Sequence, residues 1–405
     1  MLLATCSPAE HVSLNNQARA SLDGVLADAV ESDAVAGVVA IVTDVDSVLY
    51  RGAFGTMDAA HEEPMHEDAI FRIWSMTKPI TSVALMMLVE QGLVDLDTPA
   101  SRYLPELADR EVLVSVDEAG SVVATRPSSR PPTVRDLLRH TSGIGYTFSN
   151  PELLAWTRAS GAPVLSQPLL HDPGARWTYG ASTYFVGRIV EQVSGEPLGA
   201  FLSSHVFVPL GMDDTSFELP DAEMDRLVAL HRRKGMALKA EARPSSYQPI
   251  VRGDGGLLSA ADDYARFLRM ILGGGEAAGV RLLSSSSVAE MSRDQLHELG
   301  IKVSEQPGAI PETSQAFPRG AGFDGFGLGF QIDSPDNPSP RAAGSLSWAG
   351  LWNTHFWVDP ETGVGVVLLT QVLPFSDTRV MDLLAAFEAE LYDHLRQTVG
   401  QSPPN

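Results

Sequence analysis

The stretch SMTKPITSVALMMLVEQGLVDLDTPASRYLPEL, residues 75–107, decides how this chain is read. Its first half predicts a helix over residues 76–91. Ile80, Val83, Ala84, Met87 and Leu88 recur at helical spacing and form one apolar stripe, the mark of a core helix. Pro79 is tolerated in a first turn, and Gly92 fits the position just past the end. This core helix nevertheless opens on S-x-x-K, with Ser75 and Lys78 three residues apart.

Lysine is scarce in the chain: Lys78, Lys234, Lys239 and Lys302 stand against 25 arginines, so each lysine calls for a reason. Three lie in polar stretches, where a solvated cation costs little. Lys78 opens an apolar helix instead. Positions i and i+3 share a helix face, so Ser75 Oγ and Lys78 Nζ can meet. A serine hydroxyl is a poor nucleophile until a base takes its proton. Lysine can be that base once burial and nearby positive potential lower its pKa. A helix N-terminus also favours developing negative charge and offers free N–H groups to an oxyanion. The plainer alternative is a capping Ser75 beside a Lys78 that snorkels to water.

Such chemistry needs a second proton carrier. The candidate is Tyr179, in PGARWTYGAS (173–182), if a cation such as Lys78 stabilises its phenolate across a cleft. A half-buried structural aromatic is the alternative. A third element is SWAGLWNTHFWVD (347–359), where a glycine at a strand edge suits close approach of backbone to a ligand. Its alternative is a hydrophobic strand with a glycine bulge.

Working outward, residues 13–32 predict an amphipathic helix through Leu14, Ala18, Leu22, Val25 and Ala29. GVVAIVT (37–43) and SVLYRGAFG (47–55) flank an Asp-Val-Asp turn and predict a hairpin. Between 96 and about 250 the pattern is of short helices broken by Pro, Gly and Ser, including 133–140, 183–195 and 198–211. Residues 111–132 read as a small β excursion or an exposed loop, and the basic segment 231–247 as a mobile loop. After 255 comes a helix. SLSWAG, THFWVDPETG and VGVVLLTQ then read as three strands, and a helix over 378–395 closes the chain. Strands at both ends with helices between predict an antiparallel sheet carrying a helical insert, an α/β arrangement of the α+β type. The expected division is a discontinuous sheet domain, 11–75 with 255–398, and a mostly helical domain, 76–254.

Composition narrows the function. With 29 Lys+Arg against 51 Asp+Glu the net charge is −22, which disfavours nucleic acid and anionic membrane as partners. The single cysteine, Cys6, excludes an intramolecular disulfide and any multi-cysteine metal site. His61 and His66 stand at i, i+5 around Pro64, not at the i, i+4 spacing of a zinc helix, so no metal and no cofactor are expected. No G-x-S-x-G elbow, phosphate loop or complete G-x-G-x-x-G is present; GASTY (180–184) and GFGLGF (325–330) fall short. No apolar run spans a bilayer, and MLLATC at the start lacks the basic and apolar regions of an export signal. The expectation is a soluble, cytoplasmic protein acting on a small molecule.

The three motifs, in this order, resemble the serine β-lactamase and penicillin-binding-protein superfamily, on the class C-like branch that includes the family VIII carboxylesterases. LLRHTSGIGY, PGARWTYG, VFVPLGM, GGLLSAADDYARFL, GFGLGF and WAGLWNTHFWVDP are similar to family blocks, and the likeness covers roughly residues 13–395. The resemblance implies a β-lactamase-like fold: an antiparallel sheet flanked by N- and C-terminal helices, a mostly helical domain, and an active site between them. It implies that Ser75 is the acylated nucleophile, Lys78 its proton partner and Tyr179 the general base. It places the oxyanion hole at the backbone N–H groups of Ser75 and Leu351, beside the Trp348, Ala349, Gly350 triplet. His140, in RHTSG, is implied as structural support.

Two departures bear on substrate. The Tyr-x-Asn of the β-lactamases is Tyr179-Gly-Ala181 here, and their Lys-Thr-Gly is Trp348-Ala349-Gly350. Losing that lysine removes a charge-assisted contact worth about 1.5–3 kcal/mol to a carboxylate. An indole in its place suits neutral acyl or alcohol groups. The expected activity is therefore serine carboxylesterase, hydrolysing small esters through an acyl-enzyme. Transesterification, D-aminopeptidase or weak β-lactamase activity on the same site are alternatives, as is a non-catalytic binding module.

Overall fold

A computed structural model of the chain describes residues 12–60, 63–116, 122–161, 164–306 and 308–399. The leading MLLATC with Cys6, and His61, lie outside the described residues.

The first helix, α1 (Asn16–Glu31), starts where the Asn15 side chain accepts from Ala18 N, an N-cap that sets the start at 16 rather than 13. Ala18, Leu22, Leu26 and Ala29 are its buried face. Strands β1 (Gly37–Thr43) and β2 (Val48–Asp58) follow as the hairpin. Asp44 closes the turn by accepting from the backbone N–H groups of Asp46 and Ser47. Helix α2 (Thr77–Glu90) comes next, then α3 (Ser182–Ser194) and α4 (Ala261–Leu272). Strands β3 (Leu346–Gly350), β4 (Thr354–Asp359) and β5 (Val364–Leu369) precede the closing helix α5 (Thr378–Val399).

The sheet order is β3-β4-β5-β1-β2, antiparallel throughout, so β1 from the start of the chain pairs with β5 from its end. Short strands extend it beyond β3 (Gln331–Ile332, then Gly325–Phe326) and beyond β2 (Glu63–Pro64). The period-2 alternation of β1 divides the core. Val38, Ala40 and Val42 pack with α1 and α5 on one face. Val39 and Ile41 join the larger core on the other, with α2 and α4. Both faces are covered, which is why β1 and β5 read as near-continuous apolar runs and every residue of β1, β4 and β5 is buried, Thr354, His355 and Asp359 of β4 included.

α2 is buried beyond its expected stripe: Thr77, Lys78, Thr81 and Ser82 are buried with the apolar residues, while Met87 is half-buried. It packs against α3 on the helical side. The 111–132 excursion is a hairpin, Glu111–Val116 with Val122–Pro127, whose connection lies outside the described residues.

The expected mobile loop at 231–247 is corrected. His231–Lys234 and Ala237–Ala240 form a hairpin around Gly235 (φ 63°), and His231–Arg232 pairs in parallel with Val372–Leu373. Its arginines are paired rather than solvated: Arg233 Nε lies 2.5 Å from Asp377 Oδ2, and Arg232 Nη1 2.9 Å from Glu312 Oε1. The partners come from distant parts of the chain, so polarity alone suggested a loop.

Candidate active site

Ser75 sits on a single tight turn, Trp74–Met76, that leads directly into α2. Trp74 is held at φ 43°, a left-handed conformation a bulky residue rarely adopts, immediately before the nucleophile candidate. Its indole stacks edge-on to Trp352, 5.5 Å between centroids. The turn is also gripped from the sheet. Gly350 lies so close that a Cβ there would stand 2.3 Å from the Ile73 carbonyl oxygen and 2.2 Å from Thr354 Oγ1. The glycine thus lets β3 close onto the segment bearing Ser75.

The three expected residues meet. Tyr179 OH donates to Ser75 Oγ at 2.7 Å, and Lys78 Nζ donates to the same oxygen at 3.0 Å. Lys78 Nζ also donates to the Asp254 carbonyl at 2.7 Å and lies 4.8 Å from the Tyr179 ring centroid. Lys78 is 1% exposed. Burial, with Arg252 nearby, lowers its pKa to about 7 against the pull of Asp254. Burial raises the Tyr179 phenol above its ordinary value, while its hydrogen bond to Ser75 opposes the rise. Burial thus disfavours the charged form of both groups, the phenolate of Tyr179 and the ammonium of Lys78.

Tyr179 is locked by other rings, with Trp348, His140, Tyr146 and Phe317 at centroid distances of 5.0, 5.2, 5.3 and 5.8 Å. His140 is buried, its pKa held well below the usual imidazole value by burial and by Lys78.

A cavity of about 270 Å³ opens over these groups, walled by Trp74, Ser75, Tyr146, Tyr179, Asp254, Ala349 and Leu351 among others. Ser75 and Leu351 line it together; Gly350 lies beneath, against Ile73. Trp348 is not part of its wall. The indole lies behind Tyr179, packed also on Phe317 and Phe326 (5.2 and 5.3 Å), so its apolar area supports the phenol.

Sequence reasoning passed over Tyr146 and Asp254. Tyr146 OH donates to Asp254 Oδ2 at 2.6 Å, and Arg252 pairs with the same carboxylate through Nε at 2.8 Å and Nη2 at 2.9 Å. Both residues lie in or beside quoted blocks, LLRHTSGIGY and the segment before GGLLSAADDYARFL, but no local spacing ties them to Ser75. Among the described residues no group of three or more His, Cys, Asp or Glu side chains could hold a metal ion, and no helix is long and apolar enough to cross a membrane.

A sequence model of the Beta-lactamase family matches residues 22–390. Esterase EstB from Burkholderia gladioli is 31% identical, over 87% of this chain and 90% of its own length. Monacolin J acid methylbutanoyltransferase from Aspergillus terreus is 30% identical, covering 91% of this chain and 94% of that protein. Among solved structures, a mutant simvastatin synthase (LovD) from Aspergillus terreus superposes with a TM-score of 0.79 at 27% identity, covering 94% of this chain and 96% of that one.

Proposed function

The chain belongs to the Beta-lactamase family, and on that premise we propose that it is a serine esterase, cleaving small carboxylic esters through an acyl-enzyme on Ser75. The observation that carries this reading is the convergence of Lys78 Nζ and Tyr179 OH on Ser75 Oγ. With its pKa lowered to about 7, Lys78 is partly neutral near neutral pH and can take the Ser75 proton as Oγ attacks the ester carbonyl. The tetrahedral anion is held by the backbone N–H groups of Ser75 and Leu351. Its collapse breaks the bond to the alkoxy oxygen. The proton on Lys78 then reaches that oxygen through the Tyr179 hydroxyl. Water attacks the acyl-enzyme with the same pair accepting its proton, freeing the acid and restoring Ser75.

A second reading, acyl transfer to an alcohol in place of water, is supported by the likeness to a methylbutanoyltransferase. β-Lactam hydrolysis is less well supported, because Trp348-Ala349-Gly350 carries no cation for a β-lactam carboxylate. The test is turnover of p-nitrophenyl butyrate by the wild type and by Ser75→Ala. The variant loses about 10⁶-fold in kcat, the scale seen when a nucleophile of this kind is removed. An unchanged rate overturns the reading, and adding a competing alcohol separates hydrolysis from transfer.

A further inference from the structure

A second cavity, of about 410 Å³, adjoins the catalytic one, and Phe148 and Leu351 wall both. In a chain of net charge −22, its lining holds three arginines, Arg72, Arg232 and Arg243. Two of them are already neutralised. Arg232 pairs with Glu241 and Glu312, and Arg243 with Glu63 and, at 3.7 Å, with Asp58.

Arg72 differs. Among the described residues its guanidinium has one directed hydrogen bond, to the Val228 carbonyl at 3.3 Å, and no ion pair. It lies over the rings of Trp352 and Tyr247, 5.1 and 5.8 Å from their centroids. Its backbone is fixed by Gln371, which accepts from Arg72 N and donates to Arg72 O, both at 3.2 Å. The cation is thus half-buried and oriented, with no carboxylate at ion-pair distance, although Glu241 and Glu312 line the same cavity as partners of Arg232. Burial lowers its pKa while Tyr247 and Glu241 resist, and a guanidinium remains charged in such a setting. A half-desolvated guanidinium without a direct ion pair keeps unused donors, so an anion entering this cavity gains charge-assisted hydrogen bonds. Arg72 also stands only three residues before Ser75, on the same short segment.

We infer that the second cavity binds a carboxylate carried by the ester substrate, with Arg72 as its bidentate partner. The inference rests on the ester chemistry proposed above and adds a substrate class to it. The charge absent from Trp348-Ala349-Gly350 is supplied from beyond Leu351, so a neutral wall on β3 does not require a wholly neutral substrate. The carboxylate can sit on the acyl arm or on the alcohol arm, because Leu351 borders both cavities.

Three esters test it: p-nitrophenyl butyrate, mono-p-nitrophenyl glutarate with the charge on the acyl arm, and 4-butyryloxybenzoate with the charge on the leaving group. The wild type is expected to prefer one charged ester over the neutral one by kcat/KM, and the preferred ester names the arm. Arg72→Gln lowers that preference by about tenfold to a hundredfold, through KM, as loss of a charge-assisted contact requires. Arg72→Lys retains part of it. No preference in the wild type, or an equal fall for all three esters in Arg72→Gln, overturns the inference. Calorimetric binding of monobutyl glutarate to Ser75→Ala protein, with and without Arg72→Gln, needs no turnover. There the Arg72 change is expected to weaken binding at least tenfold, and binding that ignores it also overturns the inference. Absence of turnover with Arg72-dependent binding intact counts against the esterase reading alone.

Discussion

Lys78 and Arg341 are both buried cations, and the molecule treats them in opposite ways. Trp348 of β3 stands near both: its ring packs on Tyr179, and it also lines a small cavity with Arg319, Arg341, His355 and Glu388. Lys78 meets neutral oxygens, the Ser75 hydroxyl and the Asp254 carbonyl, while the Asp254 carboxylate is occupied by Arg252 and Tyr146. Arg341 Nε instead lies 3.0 Å from Asp333 Oδ2 and 3.3 Å from Glu388 Oε1. Burial alone lowers a cation's pKa, and at Lys78 it does so. At Arg341 the pull of burial is outweighed by Glu388 and Asp333, and the pKa rises. Proximity of carboxylates, rather than depth, separates a buried cation whose pKa falls from one whose pKa rises.

The comparison breaks most readily at Lys78. Lys78→Met is expected to cut ester turnover by about 10²- to 10⁴-fold, the contribution typical of a positioned general base. In the wild type, kcat/KM falls as pH drops below about 7, where Lys78 becomes protonated; the residual rate of the variant lacks this limb. The same substitution is expected to raise stability while it lowers turnover. The folded pKa near 7 lies below the unfolded value of about 10.4, so between those limits the unfolded chain binds more protons. Wild-type stability therefore rises with pH across that window, and the penalty for burying the charge is complete below pH 7. Lys78→Met removes the penalty, so its urea midpoint exceeds that of the wild type most clearly at pH 6. A variant that stays active or loses stability at pH 6 refutes the contrast.

At the other cation the expected loss is structural. Glu388 is 1% exposed and also pairs with Arg319 at 3.0 Å. Glu388→Gln leaves two guanidinium groups short of a counter-charge and is expected to destabilise the fold by about 3–5 kcal/mol, read from denaturant unfolding. The folded remainder still labels at Ser75 with an acyl-serine probe. Failure to label would place the ionic cluster within the catalytic machinery.

The same contrast explains what was legible in the sequence. α2, the β1–β2 hairpin and the three terminal strands are written in local periodicity, and Ser75 with Lys78 in an i, i+3 spacing. Tyr179 could be nominated because its chemistry was needed. What surrounds Lys78 could not be read, since Asp254 approaches from 176 residues away, and Tyr146 reaches Asp254 across 108. The direction of Trp348 was also hidden. A strand residue shows which neighbours it alternates with, not which of two pockets its ring closes. The 231–240 hairpin was missed for a similar reason, as its pairing strand Val372–Leu373 lies far along the chain.

The smallest effect is expected at Lys302, which provides the reference that both buried sites lack. Its Nζ stands 4.0 Å from Asp336 Oδ2, with the two side chains 52% and 76% exposed. Water and salt screen such a pair, and ordering two long side chains offsets the little Coulomb energy that remains. Lys302→Ala is therefore expected to change unfolding free energy by less than about 1 kcal/mol and to leave ester turnover alone. Measured beside Lys78→Met and Glu388→Gln in one buffer, it fixes the size of an exposed charge in this chain. If Lys302→Ala matched either of them, long-range charge in an acidic chain, rather than local desolvation, would be setting the behaviour of its cations.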